Sequence, residues 1–167
     1  MFGTGASLRS QADANARPTR VDLIQDAALD SAALPENLDI FGSNSVAGMI
    51  YGLQSTDASV SLSAGSAAKF AGSALELRGQ TGVNLGDEAL SLASLTAETP
   101  AGLVVNQRID ATALDGKIRL RAGSDGSGDL SIDARLAANT IELVAGSGNG
   151  TNNTSRILLD PGARFSA

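Results

Sequence analysis

The chain predicts an all-β fold, a parallel β-helix (β-solenoid), and three observations carry that prediction. A short phrase occurs three times: Val60-Ser61-Leu62-Ser63-Ala64-Gly65-Ser66, Ile118-Arg119-Leu120-Arg121-Ala122-Gly123-Ser124 and Ile141-Glu142-Leu143-Val144-Ala145-Gly146-Ser147. Two alternating aliphatics make a short strand, and Ala-Gly-Ser makes a turn. The last two copies start at Ile118 and Ile141, a separation suited to one coil of a β-solenoid. Composition is the third observation: hydrophobic residues are 43% of the chain and aromatic residues only 3%, with no Trp and one Tyr. A compact domain fills three-dimensional gaps with large rings. A narrow, layered core is filled by Leu, Ile, Val and Ala alone. An antiparallel sandwich shares the short strands and Gly-rich turns, but neither the recurring phrase nor the shortage of rings.

Along the chain, residues 1–19 are small, polar and without period, and read as a flexible leader. Residues 20–56 read as an N-terminal cap or the first coils, and residues 57–167 as the β-helix proper. Residues 20–34 admit two readings. Val21, Ile24 and Ala28 fall on one helical face, with Asp22 near the start and Pro35 just beyond, which would make a capping helix. The same stretch also reads as strand, turn, strand: Val21-x-Leu23, then Leu29 beyond a short turn. The far end has this arrangement too, Ile157-x-Leu159 then Phe165, and Val60-x-Leu62 to Phe70 is a looser version.

From residue 57 the alternation is sustained. Apolar pairs at i and i+2 occur at Val60/Leu62, Leu75/Leu77, Val83/Leu85, Leu90/Leu92, Leu103/Val105, Ile118/Leu120, Leu130/Ile132, Ile141/Leu143 and Ile157/Leu159. Each pair is a strand with two inward side chains. Gly-rich turns separate them, at 79–82, 86–88, 115–116, 123–129 and 146–153. At roughly 20–25 residues per coil the chain makes about six or seven coils. With strands about 4.8 Å apart, that is a rod about 30 Å long. The separation of Val60 from Ile118 is not a multiple of that between Ile118 and Ile141, so those copies need not share a face.

Charge and composition narrow the function. The formal net charge is −6, with 12 basic residues of which only Lys69 and Lys117 are lysines. No basic run is interleaved with aromatics, so no nucleic-acid partner is expected. The chain has no Cys and no His, which excludes thiol chemistry, imidazole acid–base catalysis and the usual zinc and haem ligands. No stretch approaches the roughly 20 apolar residues of a membrane span, and residues 1–10 have no apolar run of a signal peptide.

Each candidate chemistry has a plainer reading beside it. The turn Asp125-Gly126-Ser127-Gly128-Asp129 has the oxygens that calcium favours. Leu130 stands where an EF-hand needs Gly, and the motif is not repeated, so a solvated turn is the better reading. Asn149, Asn152 and Asn153 open overlapping glycosylation sequons inside a Gly/Asn loop. Asp110, Asp115 and Asp133, with Arg108, Lys117, Arg119, Arg121 and Arg135, have the charge of a lyase-type cluster. Yet Arg119 and Arg121 alternate with Ile118 and Leu120, as an outward solvated face requires. Ser61 and Ser63 lack the regular Thr-x-Thr array of a hydroxyl ladder, and Arg78-Gly79-Gln80 is not Arg-Gly-Asp. No catalytic, metal or cofactor-binding residue is therefore assigned.

The phrases at 118–124, 141–147 and 157–167 resemble the shaft repeats of filamentous-haemagglutinin-type proteins. These are large bacterial surface or secreted adhesins and toxins exported by two-partner secretion. The resemblance covers about residues 57–167, with a weaker echo at 21–32. The Asn-Pro-Asn signatures of the family's secretion domain are absent. The resemblance implies a right-handed parallel β-helix, placement outside the cell or on the bacterial surface, and a spacer or adhesive role. The expectation is a non-catalytic structural or adhesive shaft segment. Its partners would be other copies or neighbouring solenoid segments at the coil ends, and a surface glycan or protein receptor at the loops. The alternative is a small structural subunit that stacks end to end or docks on a larger extracellular assembly or filament.

Overall fold

The structure is a computed structural model that describes residues 7–12, 18–33, 49–146 and 154–166. Parallel strands stack as a β-solenoid with three faces. The first face is the long one. It holds β2 (Pro18–Gln25), β4 (Ile50–Ser55), β6 (Ala74–Gly79), β9 (Ser94–Glu98), β12 (Lys117–Ala122) and β15 (Thr140–Ala145). The second face is built from two ladders. One is β3 (Leu29–Asp30), β5 (Ser59–Ser61) and β7 (Gly82–Asn84); the other is β10 (Leu103–Val105), β13 (Leu130–Ile132) and β16 (Ile157–Leu159). The third face holds β8 (Leu90–Ser91), β11 (Ile109–Ala111), β14 (Arg135–Ala138) and β17 (Arg164–Ser166). Four turns carry a strand on every face, from β6-β7-β8 to β15-β16-β17.

The recurring phrase is the stacking unit. Ile118, Leu120 and Ala122 lie directly on Ile141, Leu143 and Ala145 in a parallel ladder, one coil on. On its other side Ile118 lies on Leu95, at the same separation along the chain. The Val60 copy sits on the second face instead, in β5, as its different spacing allows. In all three copies the glycine after Ala takes the left-handed backbone region: Gly65 at φ 81°, Gly123 at φ 65° and Gly146 at φ 90°. Only Gly enters that region without a Cβ penalty, so the turn dictates the phrase.

Residues 20–25 are strand. The helix reading fails because Val21 and Leu23 stack on Tyr51 and Leu53 in register, while Ile24 points outward beside Gln54. A helix would lose that ladder. The matched arrangements at the two ends turn different corners, first to second face for 21–29 and second to third for 157–165. Within the stretch read as a leader, β1 (Ser7–Ala12) pairs antiparallel with β2, from Ser7↔Ile24 to Gln11↔Arg20. It covers the leading edge of the long sheet.

The core is a column of aliphatic layers. Leu75, Leu77, Leu95, Ile118, Leu120, Leu130 and Leu136 are fully buried. One coil departs from the pattern. After β5, α1 (Ser66–Lys69) and the segment to Ser73 take the place of the third strand. There Gly72 N–H donates to Ser91 O and Ala93 N–H donates to Ser73 O, at 2.9 and 2.8 Å. That coil holds the two rings buried among the described residues, Tyr51 and Phe70, packed edge to face at 5.6 Å. Buried polar side chains satisfy backbone groups at the corners. Gln25 Nε2 donates to Ala28 O at 2.6 Å, Ser55 Oγ to Ala27 O at 2.8 Å, and Gln107 Nε2 to Leu85 O at 3.2 Å.

Leu77 is fully buried mid-ladder, so Leu77→Ala is expected to cost about 2–5 kcal/mol in chemical denaturation. Gly123→Ala is expected to destabilise as well, because its Cβ would meet Gly128 O at positive φ. Unchanged midpoints in both variants would contradict this stacking.

Candidate interaction surface

Outward positions of the long face are rich in charged side chains. Successive strands present Arg20 and Asp22, then Glu76 and Arg78, Glu98, then Lys117, Arg119 and Arg121, and Glu142. These are five cations and four anions, so this face is close to neutral and the chain's negative excess lies elsewhere. Alternation within each strand sends these side chains to solvent while the aliphatics turn in.

The face is knitted by ion pairs. Arg20 spans two strand spacings: Nε reaches Asp22 at 2.8 Å, and its two terminal nitrogens reach Glu76 at 3.1 and 2.7 Å. Gly52 on the intervening strand makes the crossing possible. A Cβ there would clash with the Asp22 carboxylate and approach Arg20 Nη2 to 3.3 Å. The missing side chain leaves a shallow depression lined by Arg20, Asp22, Ile24, Gln54, Glu76 and Arg78. A second depression continues along the corner past Thr56, Gln80, Glu98 and Pro100. Glu98 receives Arg121 at 3.2 Å and Arg78 at 3.7 Å, and Glu142 receives Lys117 at 2.9 Å and Arg119 at 3.3 Å.

The pairing shifts titration. The bidentate hydrogen bond from Arg20 holds the Glu76 carboxyl below its ordinary range, and Glu76 in turn raises Arg20. Lys117 lowers Glu142 in the same way. Individually such exposed pairs contribute little, about 0–1 kcal/mol. As a network they fix the orientation of long side chains.

The other sequence candidates are dispersed. Arg119 and Arg121 face outward on the long sheet, as expected. Asp110 and Arg108 pair at 2.7 Å by the third face, where Arg135 also lies. Asp133 accepts from Gly162 N–H at 2.8 Å, and Asp115 sits exposed in the turn after β11. No common groove collects them among the described residues. Both carboxylates of the 125–129 turn are engaged within the chain. Asp125 accepts from Ser127 N–H and Oγ–H, at 2.9 and 2.7 Å. Asp129 accepts from Arg156 N–H and Nη2, at 2.7 and 2.9 Å. Ser61 lies in a mixed column between Asp30 and Asn84, and Ser63 donates to Asp30. The sequons at Asn149, Asn152 and Asn153 lie outside the described residues.

Sequence reasoning missed the Arg20–Asp22–Gly52–Glu76 group, whose ends lie far apart along the chain. The available signal was a Gly at an outward strand position, between charged outward positions on the strands either side. No family model, curated protein or solved structure matches this chain.

Because Glu76 and Glu142 ionise more readily folded than unfolded, folding favours their charged form. Their contribution is complete above the unfolded carboxyl value, about 4.3, and is lost as pH falls through the lower folded value. The thermal midpoint is expected to fall between about pH 5 and about pH 3, and Glu76→Gln to make that fall shallower. An unchanged slope in Glu76→Gln would refute the assignment. Gly52→Val is expected to destabilise the wild-type chain more than the Glu76→Gln background, since both changes disrupt the Arg20 bridge. A double-mutant cycle measures that coupling.

Proposed function

We propose that the chain is a non-catalytic structural or adhesive shaft segment, extracellular or on the bacterial surface, of the filamentous-haemagglutinin type. The observation that carries this reading is the ladder of Ile118, Leu120 and Ala122 on Ile141, Leu143 and Ala145. A coil that stacks on its own likeness builds a stiff spacer by repetition, and the resemblance rests on the same phrases. Right-handedness follows from the rule that parallel crossovers are right-handed in about 98% of cases.

Recognition of a surface glycan or protein receptor is assigned to the loops and to the charged long face. Its two depressions offer amide, guanidinium and carboxylate groups suited to hydroxyl-rich ligands. The alternative is a structural subunit that docks on a larger extracellular assembly or filament.

Binding of the purified chain to glycan arrays and immobilised matrix proteins tests the adhesive reading. Salt-sensitive binding that weakens several-fold in Arg78→Glu is the expected outcome. Release of shortened or unsaturated polysaccharide products would overturn it in favour of an enzyme.

A further inference from the structure

The outer side of the third face is charged on a different plan from the long face. Arg135 of β14 stands directly beside Arg164 of β17 in the parallel register. Arg108 immediately precedes β11, whose Ile109 stands beside Leu136, so Arg108 continues the same column. Its carbonyl keeps the ladder there, accepting from Leu90 N–H at 2.9 Å. Arginines on three consecutive coils thus form one column along the rod, a strand spacing of about 4.8 Å apart. Each flanks an inward residue, Ile109, Leu136 or Phe165, so alternation turns all three outward, and all three are exposed.

The column is short of carboxylates. Arg108 pairs with Asp110, the outward residue two positions on, at 2.7 Å. The same position in the next two coils holds Ala137 and Ser166. The carboxylates nearest in sequence are engaged elsewhere: Asp133 accepts from Gly162 N–H at 2.8 Å, and Asp160 from Ser131 Oγ–H at 3.1 Å. Arg164 turns Nη1 to Pro161 O and Ala163 O, at 2.8 and 2.7 Å. Neither Arg135 nor Arg164 enters an ion pair among the described residues. Like charges side by side on neighbouring strands are unfavourable, and the long face avoids them by interleaving. A chain of net charge −6 has anions enough to pair these arginines, yet none is placed beside Arg135 or Arg164 in the ladder.

We propose that this arginine column binds a linear uronic-acid polysaccharide, laid along the rod with a carboxylate to each coil. Two features select that ligand. A guanidinium presents a planar fork that takes a carboxylate through two parallel hydrogen bonds. The strand spacing is close to the length of one sugar unit in an extended chain, and each uronic unit carries one carboxylate. Long arginine stems reach carboxylates on either side of that chain. A nucleic-acid strand fits worse, because its bases need aromatic platforms. None stands among the outward residues of β11, β14 and β17. The inference rests on the glycan-binding reading and adds to it a ligand class and a second face.

Isothermal titration of the full chain with a hexamer of galacturonic acid, and with its methyl ester, tests it. The acid hexamer is expected to bind. The ester keeps the sugar chain without its charge and should bind at least about tenfold more weakly. Arg135→Gln should cost about fivefold or more in affinity and flatten the dependence of log affinity on log salt by about one. The same substitution should keep or slightly raise the thermal midpoint at low salt, because it removes a like-charge neighbour. A role confined to the fold would lower that midpoint and leave the salt dependence alone. The proposal is overturned by failure of the acid hexamer to bind, by equal binding of the ester, or by an affinity indifferent to Arg135→Gln. Equal affinity for a single-stranded hexanucleotide overturns it too. Arg78→Gln on the long face should leave hexamer binding unchanged, and Arg135→Gln should not affect a ligand that depends on Arg78, so the two sites fail separately.

Discussion

Register of the long parallel sheet is the constraint on which the rest of this structure depends. Each inward side chain of one coil must land on an inward side chain of the next. A slip of one residue would turn every aliphatic of a strand to solvent. The ladder runs Val21, Tyr51, Leu75, Leu95, Ile118, Ile141 without a break. Coil lengths vary around it, shortest between Leu75 and Leu95 and longest between Val21 and Tyr51. The variation is absorbed at corners, where loops extend outward without disturbing the stack. Corner residues are chosen for backbone geometry or for satisfying buried carbonyls, as Gly123 and Gln25 illustrate.

Layering also explains where the fold departs from its own pattern. A coil with three strands encloses a narrow core that Leu, Ile, Val and Ala fill. The coil containing α1 replaces a strand with a short helix, and Tyr51 and Phe70 fill its interior. Its helix is anchored by the following coil, where the Glu88 carboxylate accepts from Gly65 N–H at 2.8 Å. Among the described residues the buried rings thus sit where the coil departs from three strands.

The outward face follows a different logic from the core. Burial selects identity in the core, whereas the exterior is selected by charge relations between strands. Arg20 reaching Glu76 across Gly52 ties three coils near the leading end, and Lys117 and Arg119 on Glu142 tie the last two long-sheet strands. With cations and anions interleaved along the ladder, like charges rarely stand directly opposite one another. The face therefore stays ordered while presenting polar groups to whatever meets it.

Much of the fold was legible in the sequence because a solenoid repeats its local rules. Alternating aliphatics located the strands, Ala-Gly-Ser located turns, and the spacing of Ile118 from Ile141 gave their stacking partner directly. The same local signals could not separate helix from strand at 20–25, where both periods fit and only contact with Tyr51 and Leu53 decides. They could not show that the segment before Pro18 supplies an antiparallel strand, because its pairing with β2 is not encoded in any apolar period. Nor could they assemble Arg20, Gly52 and Glu76, which become neighbours only after unequal coils bring their strands side by side. The sequence by itself determined the repeating unit and its inward face, since those rest on periodicity within a few residues. Tertiary structure alone decided the antiparallel strand laid on β2 and the charge pairs of the outer face, since those rest on which strand lies against which.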